Sequence, residues 1–308
     1  MNMTKLKLAS LLLAVVGILS LAVSAPAVAA SEDQKSQITV TPTKLQLDLD
    51  PGQQIDGEYT AINTGDLQVT IKVYASPYRI LDSEYNRQYD DTTWSRAQLA
   101  SWVSYEQDEF TLDPEESVVV RYRIEVPTNV PAGGHYAMLM TEIQPDDSQG
   151  DGASIISKKR IGISAMAHVA GETVRSGSIA SDEVGFWQTG STVESSLAIE
   201  NTGKIHFPVK TQMKVHSLLD KLIYTSDELE LDVLPDTTRA MDHEWSEASI
   251  GLYRVELVAN FLNEDHVVSR WVLVMPLWIP LVAFIVLFAG LVHWLYRKRK
   301  NKSKGKKG

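Results

Sequence analysis

Between residues 31 and 270 apolar and polar side chains mostly alternate, and this period of two predicts strands with one buried face. Ile38, Val40, Leu45, Leu47 and Leu49 form a first strand region that stops at Pro51-Gly52. Val118, Val120, Tyr122, Ile124 and Val126 form another, ended by Pro127. A strand over Ile155 to Val169 follows a polar loop from Asp146 to Ser154. Helical periodicity is scarce here, with one short helix expected around Ser95 to Val103.

The alternation repeats itself. Ile55, Gly57, Tyr59 and Ala61 lead into Asn63-Thr64-Gly65 and then Val69, Ile71 and Val73; Val193, Ser195, Leu197 and Ile199 lead into Asn201-Thr202-Gly203 and then Phe207 and Val209. Asn and Gly tolerate positive φ, so each half predicts a β-hairpin turning at Asn-Thr-Gly. Gly134-His135-Tyr136 and Gly251-Leu252-Tyr253 each open a later strand with a tyrosine, as in the tyrosine corner of Ig-type sandwiches. The expected fold is all-β: two tandem Ig-like β-sandwich domains, residues 31–172 and 173–270, followed by one C-terminal transmembrane helix. Gly65 and Gly134 are 69 positions apart and Gly203 and Gly251 are 48 apart, so the first domain holds an insertion of about 21 residues, mostly between Pro77 and Phe110.

Both chain ends break the pattern. Trp271 to Tyr296 holds no charged residue and is followed by eight basic ones between Arg297 and Lys307. This predicts a span over 271–296 and a basic cytoplasmic tail over 297–308, with Trp271, Trp278, Trp294 and Tyr296 at the headgroup levels. Pro276 and Pro280 mark an irregular start to the helix. Lys5 and Lys7, an apolar run from Leu8 to Val23 and small residues up to Ala30 read as a signal peptide over 1–30, cleaved after Ala29 or Ala30. The expected topology is a single-pass type I membrane protein whose exterior faces the cell wall. Within that exterior 39 acidic residues meet 19 basic ones, a net charge of −20 that argues against a nucleic-acid partner. The chain has no cysteine, so its sandwiches rest on packing and hydrogen bonds without disulfides.

Six short segments, in order, carry a family resemblance. Pro51-Gly52, Asn63-Thr64-Gly65-Asp66, Val73-Tyr74-Ala75-Ser76-Pro77-Tyr78 with Trp102-Val103, Leu112-Asp113-Pro114, and Pro131-Ala132-Gly133-Gly134-His135-Tyr136-Ala137 together resemble the peptidoglycan-binding domain of the WxL-interacting surface proteins of Gram-positive bacteria, over roughly residues 38–172. The resemblance implies a first domain that contacts peptidoglycan or another wall glycan, a second that engages a surface protein, and a membrane anchor.

A glycan face needs aromatic rings for stacking and carboxylates for hydroxyl groups. Tyr85, Tyr89, Asp90, Asp91 and Trp94 in the insertion supply both and are the candidate ligand-binding residues; Tyr74, Trp102 and Tyr105 suit the core. Asp146, Asp147 and Asp151 lack the spacing of a calcium loop, and the seven histidines are dispersed. With no nucleophile motif, the expectation is a binding protein and not an enzyme, without metal or cofactor. The alternative is a receptor or assembly-factor ectodomain that binds a protein strand at a sheet edge, with no glycan.

Overall fold

The computed structural model describes residues 37–145 and 159–304, with side chains described as far as Arg297. The expected signal peptide and the aspartates at 146, 147 and 151 lie outside these residues.

Alternation does produce strands, and they assemble into two separate pairs of sheets. In domain one, β1 (Ile38–Thr41), β3 (Gln54–Asn63), β9 (Ser117–Glu125) and β7 (Val103–Tyr105) form one sheet in the order β1-β3-β9-β7. The facing sheet runs β2-β11-β10-β4-β8, from β2 (Lys44–Leu49), β11 (Arg160–Val169), β10 (Gly133–Ile143), β4 (Val69–Ser76) and β8 (Glu109–Leu112). The short pair β5 (Tyr78–Ile80) and β6 (Arg87–Tyr89) belongs to the insertion, as does a 3-10 turn over Ala97–Trp102. Domain two pairs β12 (Gly177–Val184), β14 (Val193–Asn201) and β18 (Thr237–Trp245) in one sheet. Its other sheet runs β13-β20-β19-β15-β16, from β13 (Trp187–Gln188), β20 (Glu264–Val274), β19 (Gly251–Phe261), β15 (Phe207–Ser217) and β16 (Leu222–Thr225), with β17 (Leu229–Val233) also on β15. No described strand of one domain pairs with a strand of the other. Each sandwich encloses its own core, around Tyr59, Ile71, Ile124 and Leu139 in the first and Leu197, Phe207, Val215 and Leu257 in the second.

Two expectations change. The Asn-Thr-Gly turns do not make hairpins: β3 and β4 lie in opposite sheets, and so do β14 and β15. The buried asparagine explains why. Asn63 Nδ2 donates to the carbonyls of Leu67 (2.7 Å) and Leu112 (3.1 Å) while its Oδ1 accepts the Gly65 N–H (3.0 Å). Asn201 repeats this with Ile205, Val233 and Gly203 at 2.9, 2.8 and 2.8 Å. One side chain thus satisfies three backbone groups at a corner where the chain leaves one sheet for the other.

The second change concerns Trp271 to Val274, which are strand and not span. They continue β20 with Val272 and Val274 buried, so β20 carries domain two past residue 270. An apolar run after the last charge fits a buried strand as well as a membrane segment, and here the period of two decides. Helix α1 (Trp278–Lys304) starts after Pro276. Its stretch Trp278–Arg297 has a mean hydropathy of 2.2 and none of it is buried, and it is long and apolar enough to cross a membrane at about 1.5 Å per residue.

Candidate functional site: an open strand edge in domain two

The aromatic insertion is placed first by β10, whose residues are buried on both faces from Gly133 to Glu142. Ala137, Leu139 and Thr141 face the sandwich; Tyr136, Met138 and Met140 face the insertion, where they meet Tyr78, Tyr85, Met166 and Leu234. Trp94 stacks on Tyr136 with ring centres 5.3 Å apart and lies 5.8 Å from Tyr78. The insertion is therefore a third layer over the outer face of a sheet.

Tyr85 goes further, into the seam between the domains. The Asp82 carboxylate holds the loop by accepting the N–H groups of Glu84 and Asn86, both at 3.1 Å. At its turn Tyr85 takes φ 63° and points into domain two, where only 5% of it stays exposed. Its hydroxyl accepts the Leu234 N–H at 2.8 Å and bonds Thr237 Oγ1 at 2.6 Å, and the Arg239 guanidinium lies 4.1 Å from the ring centre. Burial pushes the Tyr85 phenol above its ordinary pKa. The backbone follows, with the Ala240 N–H donated to the Ser83 carbonyl.

The other predicted residues are engaged nearby. Tyr89 is half-buried, with Arg160 4.8 Å from its ring centre. Asp90 accepts from Ser76 Oγ at 3.0 Å, and Asp91 accepts the Thr93 N–H at 2.7 Å and meets Arg79 at 3.2 Å. The five residues come together as a packed cover, with the Tyr85 and Trp94 rings turned into protein. Trp102 is buried in core one, as its sequence context suggests.

The chain has two glycine-tyrosine corners, and only that of Tyr136 lies at the seam. Tyr253 Oη donates to the Ser249 carbonyl four residues upstream, at 2.9 Å, as a tyrosine corner does. Tyr136 instead reaches across to His206, bonding Nδ1 at 3.1 Å and accepting the His206 N–H at 3.1 Å. A Cβ at Gly134 would overlap that hydroxyl, so the close approach requires glycine.

Burial lowers the pKa of His206 in this seam, of His135 in domain one and of His243, which bonds Thr211 at 2.9 Å in domain two. All three are favoured as neutral rings in the fold. Below the unfolded value of about 6.5 the unfolded chain binds more protons, so stability present above that pH is lost as pH falls toward the folded values. Thermal unfolding is expected to move to lower temperature between pH 7 and pH 5, and His206→Gln is expected to flatten part of the slope, at most about 1.4 kcal/mol per pH unit. A melting temperature constant over that range would refute it.

Domain two also has a strand edge that, among the described residues, is covered only at one end. Leu262 and Asn263, at φ 53° and 65°, make a two-residue turn between β19 and β20. Such a turn makes Phe261 and Glu264 the first hydrogen-bonded pair. Alternation then points the N–H and C=O groups of Asp265, Val267, Ser269, Trp271 and Leu273 away from β19. The outward direction is occupied only further along: the Leu273 N–H donates to the Phe186 carbonyl at 2.6 Å and the Met275 N–H to the Gln188 carbonyl at 2.9 Å. β13 stops there, pairing with Leu273 and Val274 alone. Among the described residues, Asp265, Val267 and Trp271 keep both outward groups without a backbone partner, while Ser269 keeps its N–H and its carbonyl accepts from Arg270 Nη1 at 3.3 Å; Val267 is 58% and Trp271 46% exposed.

The remaining edges are shorter or already blunted. β1, β7 and β8 have four residues or fewer, β17 and β2 have five and six against the eleven of β20, and β12 and β16 are irregular in register. β18 is touched by Ser83 and by Tyr224 Oη, which donates to the Glu244 carbonyl. No chemistry-bearing motif announced the β20 edge in the sequence; only the pairing pattern exposes it.

No family model and no curated protein matches this chain. Solved structures do. They include a chaperone-tip adhesin complex of CFA/I fimbriae, at 12% identity and a TM-score of 0.36 over 78% of this chain and 100% of that one. They also include the CsuC-CsuE chaperone-tip adhesion subunit pre-assembly complex of Acinetobacter baumannii Csu pili, at 12% and 0.39 over 76% and 98%. The Pseudomonas aeruginosa CupB2 chaperone matches at 11% and 0.38 over 76% and 100%. The neighbours are PapD-like fimbrial chaperones and not WxL-interacting surface proteins, which corrects the resemblance drawn from the sequence. Most of its motif segments sit at strand ends and corners, where turns of Pro, Gly, Asn and Asp serve any Ig-type sandwich. At these identities the likeness is one of fold alone.

Proposed function

We propose that this chain is a membrane-anchored, non-catalytic binding protein whose second domain takes up an extended protein segment along the open edge of β20. The anchor is α1, with the sandwiches outside and the basic tail within. The observation that carries the reading is the ladder begun by Phe186 and Gln188 and broken off at Leu273. An incoming strand would continue it across Trp271, Ser269, Val267 and Asp265, gaining backbone hydrogen bonds from the edge and side-chain contacts from Val267 and Trp271. The packed state of Tyr85 and Trp94 gives glycan binding no support.

A photo-crosslinking residue at Val267 in intact cells is expected to yield a discrete protein adduct, and Ser269→Pro to reduce it at least about tenfold by removing one outward N–H and blocking the register. Because that N–H points away from β19, Ser269→Pro leaves the internal ladder intact, and circular dichroism is expected to be unchanged. An adduct formed equally well by the proline variant would sink the reading.

A further inference from the structure

Most of the other large exposed apolar residues of domain two gather on one rim, Val174 beside the Asn201 corner being the exception. Register aligns Ser217 of β15 with Tyr253 of β19 and Val272 of β20. The tip of the β15-β16 hairpin, the loop before β19, the Phe186-Trp187 segment and the start of α1 therefore share that end of the sandwich. It bears Phe186, Trp187, Leu218, Leu219, Leu222 and Ile250, with Leu219 89% exposed. Trp187 Nε1 donates to the Met275 carbonyl at 2.7 Å, fixing its ring beside the junction of strand and helix. The opposite rim carries the polar Asn263 and the corner at Asn201. Soluble surfaces seldom cluster such residues without a cover.

We infer that this rim of domain two is seated in the headgroup and upper acyl layer of the bilayer that α1 crosses. The inference rests on reading α1 as the anchor. Continuity identifies the occupant as lipid: Met275 to Leu277 alone separate β20 from α1, a reach of about 10 Å, so a spanning helix leaves the rim no room to stand clear of the surface. Charge points the same way. Asp220 at the hairpin tip is paired with Arg254, and the exterior as a whole is acidic, so attachment is apolar and independent of anionic headgroups.

The natural absence of cysteine makes the test direct. Leu219→Cys, Asn263→Cys and Ile285→Cys are spin-labelled one at a time in the full chain, held as single copies in nanodiscs of phosphatidylcholine. The Leu219 and Ile285 labels are expected to be at least about fivefold less accessible to a water-soluble nickel chelate than the Asn263 label, with no change when salt is raised. A Leu219 label as accessible as Asn263, beside a protected Ile285 label, overturns the seating and spares the anchor. An accessible Ile285 label overturns both. As a second measurement, Leu218→Asp combined with Leu219→Asp is expected to open a label at Ile250→Cys to the chelate at least about threefold; unchanged protection there counts against the rim acting as one surface.

Discussion

Asn201→Ala is expected to lower the unfolding temperature of domain two by at least about 12 °C, since about 3 kcal/mol at about 4 °C per kcal/mol applies to a domain of this size. The side chain is fully buried and serves the Ile205 and Val233 carbonyls and the Gly203 N–H at once. Alanine leaves all three desolvated without a partner, each costing about 1–3 kcal/mol, and water has no route to a buried corner. Asn201→Asp keeps the acceptor but loses both donations and adds a buried charge, so a comparable loss is expected. Thr202→Ala, one residue on, gives up only an exposed bond to Ser176 and is expected to stay within about 0.5 kcal/mol of the natural chain. Differential scanning calorimetry of the full chain in detergent measures all three. Equal melting temperatures for the Asn201 and Thr202 variants would show that the corner is not held by this side chain.

That asparagine marks where the sequence could be read and where it misled. Alternation located the strands, and the repeated Asn-Thr-Gly located two equivalent turns. It did not say whether the chain turned within a sheet or between sheets, because the deciding contacts run to Leu112 and Val233, 49 and 32 residues away. The start of the expected span was misplaced for a related reason: composition records that charges stop at Arg270, while the pairing of Trp271 with Arg254 and of Val274 with Gly251 extends the strand. The aromatic insertion held a local clue that composition overrode. From Tyr136 to Met140 the chain is apolar at every position, the mark of a strand covered on both faces, and the second cover had to come from somewhere. The β20 edge had no such clue. Its openness depends on β13 being two residues long, which only the assembled sheet reveals.

Tyr85→Ala is expected to cost about 3–5 kcal/mol and to split unfolding into separate transitions for the two domains. The ring is buried against domain two, and its loss removes the bonds to Leu234 and Thr237 together with the platform beneath Arg239. The remaining seam includes Tyr136 with His206, the Gly134 N–H on the Lys204 carbonyl, the Ala240 N–H on the Ser83 carbonyl, Leu234 against Tyr78 and Tyr136, and ion pairs of Lys44 with Asp232 and Arg96 with Asp236. The ion pairs are partly exposed and contribute at most about 1 kcal/mol each. Without Tyr85 the domains are therefore expected to uncouple while each keeps its own core. Tyr85→Phe retains the ring and strands the Leu234 N–H, so a smaller loss of about 1–3 kcal/mol with a single transition is expected. Calorimetry combined with limited proteolysis in the 81–86 loop separates the cases: cleavage is expected to accelerate in the alanine variant and to change little in the phenylalanine one. A single transition in Tyr85→Ala, displaced by only a degree or two, would mean that the insertion covers domain one without coupling it to domain two. The edge of β20 would then be carried by an independently moving domain instead of one held at a fixed angle by the Tyr85 seam.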